Sequence, residues 1–98
     1  MSNTPIVVTL RLTPSDPKAF QSFLAEILPD TRKARGCRFS TTYATEDGSG
    51  SFLLLQEWDS PEDQQAYMAW RQSTGVLQTF LDHLAEPADV RIWRRDPA

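Results

Sequence analysis

Four consecutive apolar residues, Phe52-Leu53-Leu54-Leu55, constrain this chain more than any other feature. They open a strand-like run that continues through Gln56-Glu57-Trp58, and successive side chains along a strand point to opposite faces. A strand that begins apolar on both faces needs cover on both. In a chain of 98 residues one face can be met by the chain's own helices, and the other calls for the sheet of a second copy. Ordinary domains run to about 100–150 residues, so residues 1–98 are read as one domain with one core. The run is also far shorter than the roughly 20 apolar residues of a membrane helix, and no membrane association is expected.

The rest of the chain alternates strand and helix signals. Ile6, Val8, Leu10 and Leu12 give a β-branched strand with one apolar face. Thr13-Pro14-Ser15-Asp16-Pro17 punctuates it, with Ser15 or Asp16 able to cap a helix and Pro17 suited to its first turn. Phe20, Phe23, Leu24, Ile27 and Leu28 recur at helical spacing. Pro29 is expected to kink or stop that helix. Beyond it, the charged segment Asp30–Arg35 can carry the helix on, with Gly36 as a left-handed cap. Cys37, Phe39, Thr41 and Tyr43 alternate with Arg38, Ser40 and Thr42 in a second strand, and the Asp47-Gly48 turn joins it to Phe52–Trp58 as a hairpin. Ser60-Pro61-Glu62-Asp63 starts a further helix, with an apolar stripe at Ala66, Tyr67, Trp70 and Thr74. Gly75 interrupts it; Leu77, Phe80, Leu81 and Leu84 form another short stripe; Val90–Trp93 is the last strand. The order β-α-β-β-α-(α)-β predicts an α+β, ferredoxin-like fold with an antiparallel four-stranded sheet.

Charge and ligand chemistry exclude several classes. Ten Lys+Arg against thirteen Asp+Glu leave a formal charge of −3, without the clustered positive charge that nucleic-acid or anionic-membrane binding needs. One cysteine, Cys37, and one histidine, His83, rule out an internal disulfide, a multi-Cys zinc site and a two-His zinc motif. No metal or cofactor site is expected. The opening residues Met1–Pro5 lack the basic start of a signal peptide, so a reducing, cytoplasmic location is expected, which suits a lone thiol.

Particular residues carry a resemblance beyond the fold class. Gly36-Cys37 follows the first helix; Phe52–Trp58 leads into Asp59-Ser60-Pro61-Glu62; and Ala66-Tyr67-Met68-Ala69-Trp70-Arg71 precedes an apolar turn. With these, the chain over about Pro5 to Arg95 resembles the antibiotic biosynthesis monooxygenase-like (ABM) family of dimeric α/β barrel proteins. The resemblance implies a homodimer in which two sheets face each other, with a ligand pocket between each sheet and its own helices. It also implies one of several chemistries: oxidation of small aromatic phenols or quinols by O2 without metal or flavin, degradation of haem, or a non-catalytic, stress-associated binding role. Many members carry a histidine where this chain has Tyr67. The haem-degrading branch also has a first-strand asparagine, where this chain has Val7, Val8 and Thr9.

Cofactor-free oxygenation asks for an apolar cavity, a base, and a donor that holds the developing oxyanion. His83, Glu57 and Tyr67 are the candidate catalytic groups. Trp70, Trp58, Tyr43 and Arg38 are the candidate contacts to a small aromatic ligand, with Arg71 and Arg91 as further cations. Tyr67 and Trp70, three apart, share a helix face that could line a flat pocket or simply pack on the sheet. Glu57 and Trp58 point to opposite faces of their strand. A closed cavity holding Tyr67 and Trp70 would favour the oxygenase; side chains that fill that space would favour the non-catalytic role.

Overall fold

A computed structural model describes residues 4–98, so Met1–Asn3, at the start of the segment read as lacking a signal peptide, lie outside the described residues. The elements are β1 (Ile6–Leu12), α1 (Pro17–Lys33), β2 (Cys37–Ala44), β3 (Phe52–Trp58), α2 (Pro61–Thr74), α3 (Val76–Asp82) and β4 (Asp89–Arg94). The strands form one antiparallel sheet in the order β2-β3-β1-β4. This is the ferredoxin-like α+β arrangement, with the helices on one face. Asp16 caps α1, its carboxylate accepting from the Ala19 amide at 3.1 Å. Ser60 caps α2 in the same way through Asp63, and Glu62 and Asp63 sit where the helix dipole favours anions. No helix among the described residues is long and apolar enough to cross a membrane.

The alternation read from the strands decides which side chains meet the helices. Leu12, Phe52 and Leu54 on the sheet pack against Phe20, Leu24 and Leu28 of α1 and Phe80 of α3. Phe20 is the hub, with ring centroids 5.7 Å from Phe52 and 5.5 Å from Phe80. A second cluster joins Ile6 and Val8 to Trp58, which is fully buried. The Trp58 indole N–H donates to Gln56 Oε1 at 3.1 Å, so its one polar atom is satisfied inside the core. The opposite face carries Val7, Thr9, Leu53, Leu55, Phe39, Tyr43 and Trp93, and no element among the described residues covers it. The double-faced run therefore divides as its pattern requires: Phe52 and Leu54 inward, Leu53 and Leu55 onto the open face.

Three local expectations change. Helix α1 neither stops nor breaks at Pro29 but runs on to Lys33. Pro29 withdraws one backbone donor, yet the turns around it are held by α2: Arg71 donates to the Ile27 carbonyl at 2.7 Å, and Thr31 and Tyr67 share a 2.6 Å hydroxyl–hydroxyl bond. The C-cap is Ala34 rather than Gly36. Gly36, at φ +83°, instead makes the turn into β2, where a methyl group would collide with the Asp63 side chain. Finally, an irregularity in the β2–β3 register between Cys37 and Phe39 separates residues expected on one side. Cys37 packs with the Trp58 cluster on the helix side, whereas Phe39, Thr41 and Tyr43 pair with open-face residues of β3.

Candidate functional site

Between the sheet and the helices lies a cavity of about 90 Å³. Its walls are mostly apolar: Val8 and Leu10 from β1, Leu54 from β3, Ile27 and Leu28 from α1, and Leu77 and Phe80 from α3. Gln56, Gln64, Tyr67 and Arg71 are the polar groups among the lining residues. Val90 of β4 also lines it and is half-exposed, so the cavity is rimmed by an accessible edge.

The polar groups are held by an interhelical network. Arg71 is only 5% exposed. Its Nε donates to the Tyr67 hydroxyl at 2.9 Å, and its Nη2 donates to the Ile27 carbonyl at 2.7 Å and to Thr31 Oγ1 at 3.2 Å. The Trp70 ring lies 4.6 Å from the guanidinium carbon, within cation–π range. Thr31, completely buried, closes the triangle through Tyr67. Among the described residues no carboxylate lies within ion-pair distance of Arg71, in contrast to Arg38 and Arg91. On the sheet side Gln56 is fixed between Trp58 and Ser40, donating to Ser40 Oγ at 3.3 Å.

Of the residues singled out from sequence, Tyr67 and the cation Arg71 line the cavity. Trp58 lies behind it with ring centroids 5.0 Å apart, supporting the phenol from the core. Trp70 is 44% exposed and covers Arg71, so Tyr67 and Trp70 do not share the cavity although they share a helix face. Glu57 and Tyr43 lie on the open face of the sheet. Arg38 binds Glu57 at 3.0 Å and Asp59 at 2.6 Å. His83 sits at the end of α3, stacked on Phe23 at 4.7 Å, and is not a lining residue. Thr31, Gln56 and Gln64 complete the site without having stood out in the sequence. The available signal was register: Thr31 continues the Phe20-Leu24-Leu28 stripe, Arg71 stands one turn beyond Tyr67, and Gln56 alternates with Leu54 and Trp58. Among the described residues no group of three or more His, Cys, Asp or Glu side chains is placed to hold a metal ion.

An antiparallel sheet with helices on one face and a small, partly polar cavity between the layers defines a ferredoxin-like α+β fold. The chain belongs to the antibiotic biosynthesis monooxygenase family, whose model matches residues 6–86. Among solved structures it is similar to SnoaB, a cofactor-independent oxygenase from Streptomyces nogalater, at 12% identity and TM-score 0.84, covering 97% of this chain and 96% of that one. It is similar to Rv0793 from Mycobacterium tuberculosis at 20% identity and TM-score 0.83, covering 97% and 98%. A conserved protein from Methanosarcina mazei Go1 matches at 15% identity and TM-score 0.84, covering 96% and 95%. At such identities the likeness is one of fold. Among curated proteins no relative matches the sequence.

Proposed function

We propose that this protein is a cofactor-independent monooxygenase that oxidises a small aromatic, phenol- or quinol-type substrate with O2 inside the cavity. The observation that carries the reading is the cavity itself: apolar walls between sheet and helices, with the Tyr67 hydroxyl and the Arg71 guanidinium at one place in its lining. The reaction needs the substrate as its electron-rich anion, which can pass an electron to O2. One oxygen atom then enters a ring carbon; that carbon and a hydroxyl each give up one hydrogen, which leave with the other oxygen as water, so the product is at the quinone level. The protein's part is to exclude bulk water, orient the ring against the apolar walls, and hold the anionic oxygen near a fixed cation. Family membership and the fold shared with SnoaB support this chemistry.

A second copy of the chain covers the open face, where Leu53, Leu55, Phe39, Tyr43 and Trp93 would otherwise stay in water. The homodimer is part of this proposal, as is a reducing, cytoplasmic setting suited to the free thiol of Cys37. A non-catalytic binding role is the second reading, favoured by one observation: Tyr67, the candidate proton acceptor in the lining, is already hydrogen-bonded to Arg71 and Thr31. Oxygen uptake decides between them. With a panel of hydroquinones and other single-ring phenols, uptake above the no-protein rate is expected for at least one compound, reduced at least tenfold in Arg71→Met. Saturable binding with no uptake across the panel would leave the binding role and overturn the oxygenase.

A further inference from the structure

We propose that the cavity selects a ligand that enters already ionised: a single-ring aromatic whose carboxylate or acidic phenolate pairs with Arg71. This deepens the reading of the cavity as the substrate site and rests on it. Arginine is almost never buried without a partner, because removing its charge from water is costly unless an anion or a full set of hydrogen bonds replaces the solvent. Arg71 is 95% removed from solvent, lines the cavity, and has no carboxylate within ion-pair distance among the described residues. Its hydrogen bonds are also incomplete. A guanidinium carries five N–H groups; three are committed, to Tyr67, Ile27 and Thr31. The remaining two are on Nη1, which makes no hydrogen bond among the described residues. The committed bonds fix the guanidinium and Trp70 lies over it; Nη1 is not among the fully buried unpartnered atoms, so it is a fixed donor that an anion can reach without rearrangement.

The rest of the lining explains why the charge belongs to the free ligand. Among the described residues, Tyr67 and Arg71 are the only titratable side chains in the cavity wall, with no carboxylate or imidazole there to take a proton from a neutral phenol. Glu57 is on the far side of the sheet and His83 is stacked on Phe23. A cation without a base suits a molecule that lost its proton in water. The apolar walls suit the ring. A volume of about 90 Å³ is below the roughly 150 Å³ cavity that takes benzene, so a single ring fills it and extends past the Val90 rim.

Equilibrium binding under anaerobic conditions, followed by tryptophan fluorescence or calorimetry, tests this with benzoate, 4-nitrophenolate and two neutral probes, benzamide and benzyl alcohol. At least one anion is expected to bind tenfold or more tightly than both neutral probes, and which anion leads names the preferred group. Arg71→Met should abolish the preference, and Arg71→Lys should keep part of it. Equal binding of anions and neutral probes to the unaltered protein overturns the proposal, whether or not Arg71→Met folds. So does a folded Arg71→Met that keeps the full preference. The two readings fail separately: anion preference without oxygen uptake on any ionised phenol removes the oxygenase alone, whereas uptake on neutral phenols with no anion preference removes this inference alone.

Discussion

At the scale of single residues, the site is a set of polar groups placed where apolar ones are normally found. Tyr67, Arg71 and Thr31 tie α1 to α2, and each hydroxyl in the triangle satisfies another buried group. Tyr67→Phe removes one corner and leaves Thr31, with no exposure at all, short of a partner. The expected loss is about 1–2 kcal/mol, read as a fall of several degrees in Tm, with oxygen uptake falling as well. Trp58, by contrast, contributes packing and a single indole bond to Gln56. Cys37 gives a second residue-scale prediction. Burial raises its thiol pKa, and Arg32 nearby offsets this only in part. Since the thiolate is the reactive form, iodoacetamide should alkylate folded Cys37 more slowly at neutral pH than a cysteine in a short peptide. The sign for stability follows. The folded pKa is the higher one, so this contribution is fully present below the unfolded thiol value of about 8.5 and is lost as pH rises through the folded value.

At the scale of elements, the strands and caps obey local rules, and the departures have tertiary causes. Both long helices begin at the residues their capping chemistry indicates, Asp16 before Pro17 and Ser60 before Pro61. The continuation of α1 through Pro29 is different, because bonds from Arg71 and Tyr67 on α2 hold the turns on either side of the proline. Pro29→Ala would restore the missing backbone donor and relieve the ring's clash with the preceding turn. It is expected to raise Tm in a thermal melt, by an amount set by up to about 3 kcal/mol of helix propensity less the flexibility returned to the unfolded chain. An unchanged or lower Tm would mean that α1 is adapted to the proline. The β2 irregularity at Arg38 was equally hidden: alternation in sequence assumes an unbroken ladder, and one extra residue moves Cys37 to the opposite face from Phe39.

At the scale of the whole molecule, the two faces of the sheet have different fates. One carries the core and the cavity. The other presents Val7, Leu53 and Leu55 beside exposed Phe39, Tyr43 and Trp93, with the Trp93 indole donating to Thr9 at 2.8 Å. A surface of that kind is expected to pair with its own copy. Light scattering at micromolar concentration should give twice the chain mass, and Leu55→Glu, which places a charge at the centre of the face, should shift the protein towards monomer without loss of the fold. A monomeric unaltered protein would remove the dimer from the proposed function.

Much of this was legible beforehand because it depends on short-range regularities. Period-two and helical spacing place apolar residues on one side of each element, caps and glycines mark the ends, and the run at Phe52–Leu55 demands cover on both faces. Those rules determine the element order, the α+β class and the identity of the core. They do not determine the site. Glu57, His83 and Arg38 have suitable chemistry, yet the pairing of β2 with β3 and the packing of α3 place them outside the cavity. Arg71 reads in sequence only as one of several candidate cations, because i to i+4 spacing relates it to Tyr67 but says nothing about what α1 sets opposite. Only the packing of α1 on α2 buries that guanidinium beside a cavity, with no carboxylate among the described residues to meet it, since whether a charge is paired or desolvated depends on distances between segments far apart in the chain.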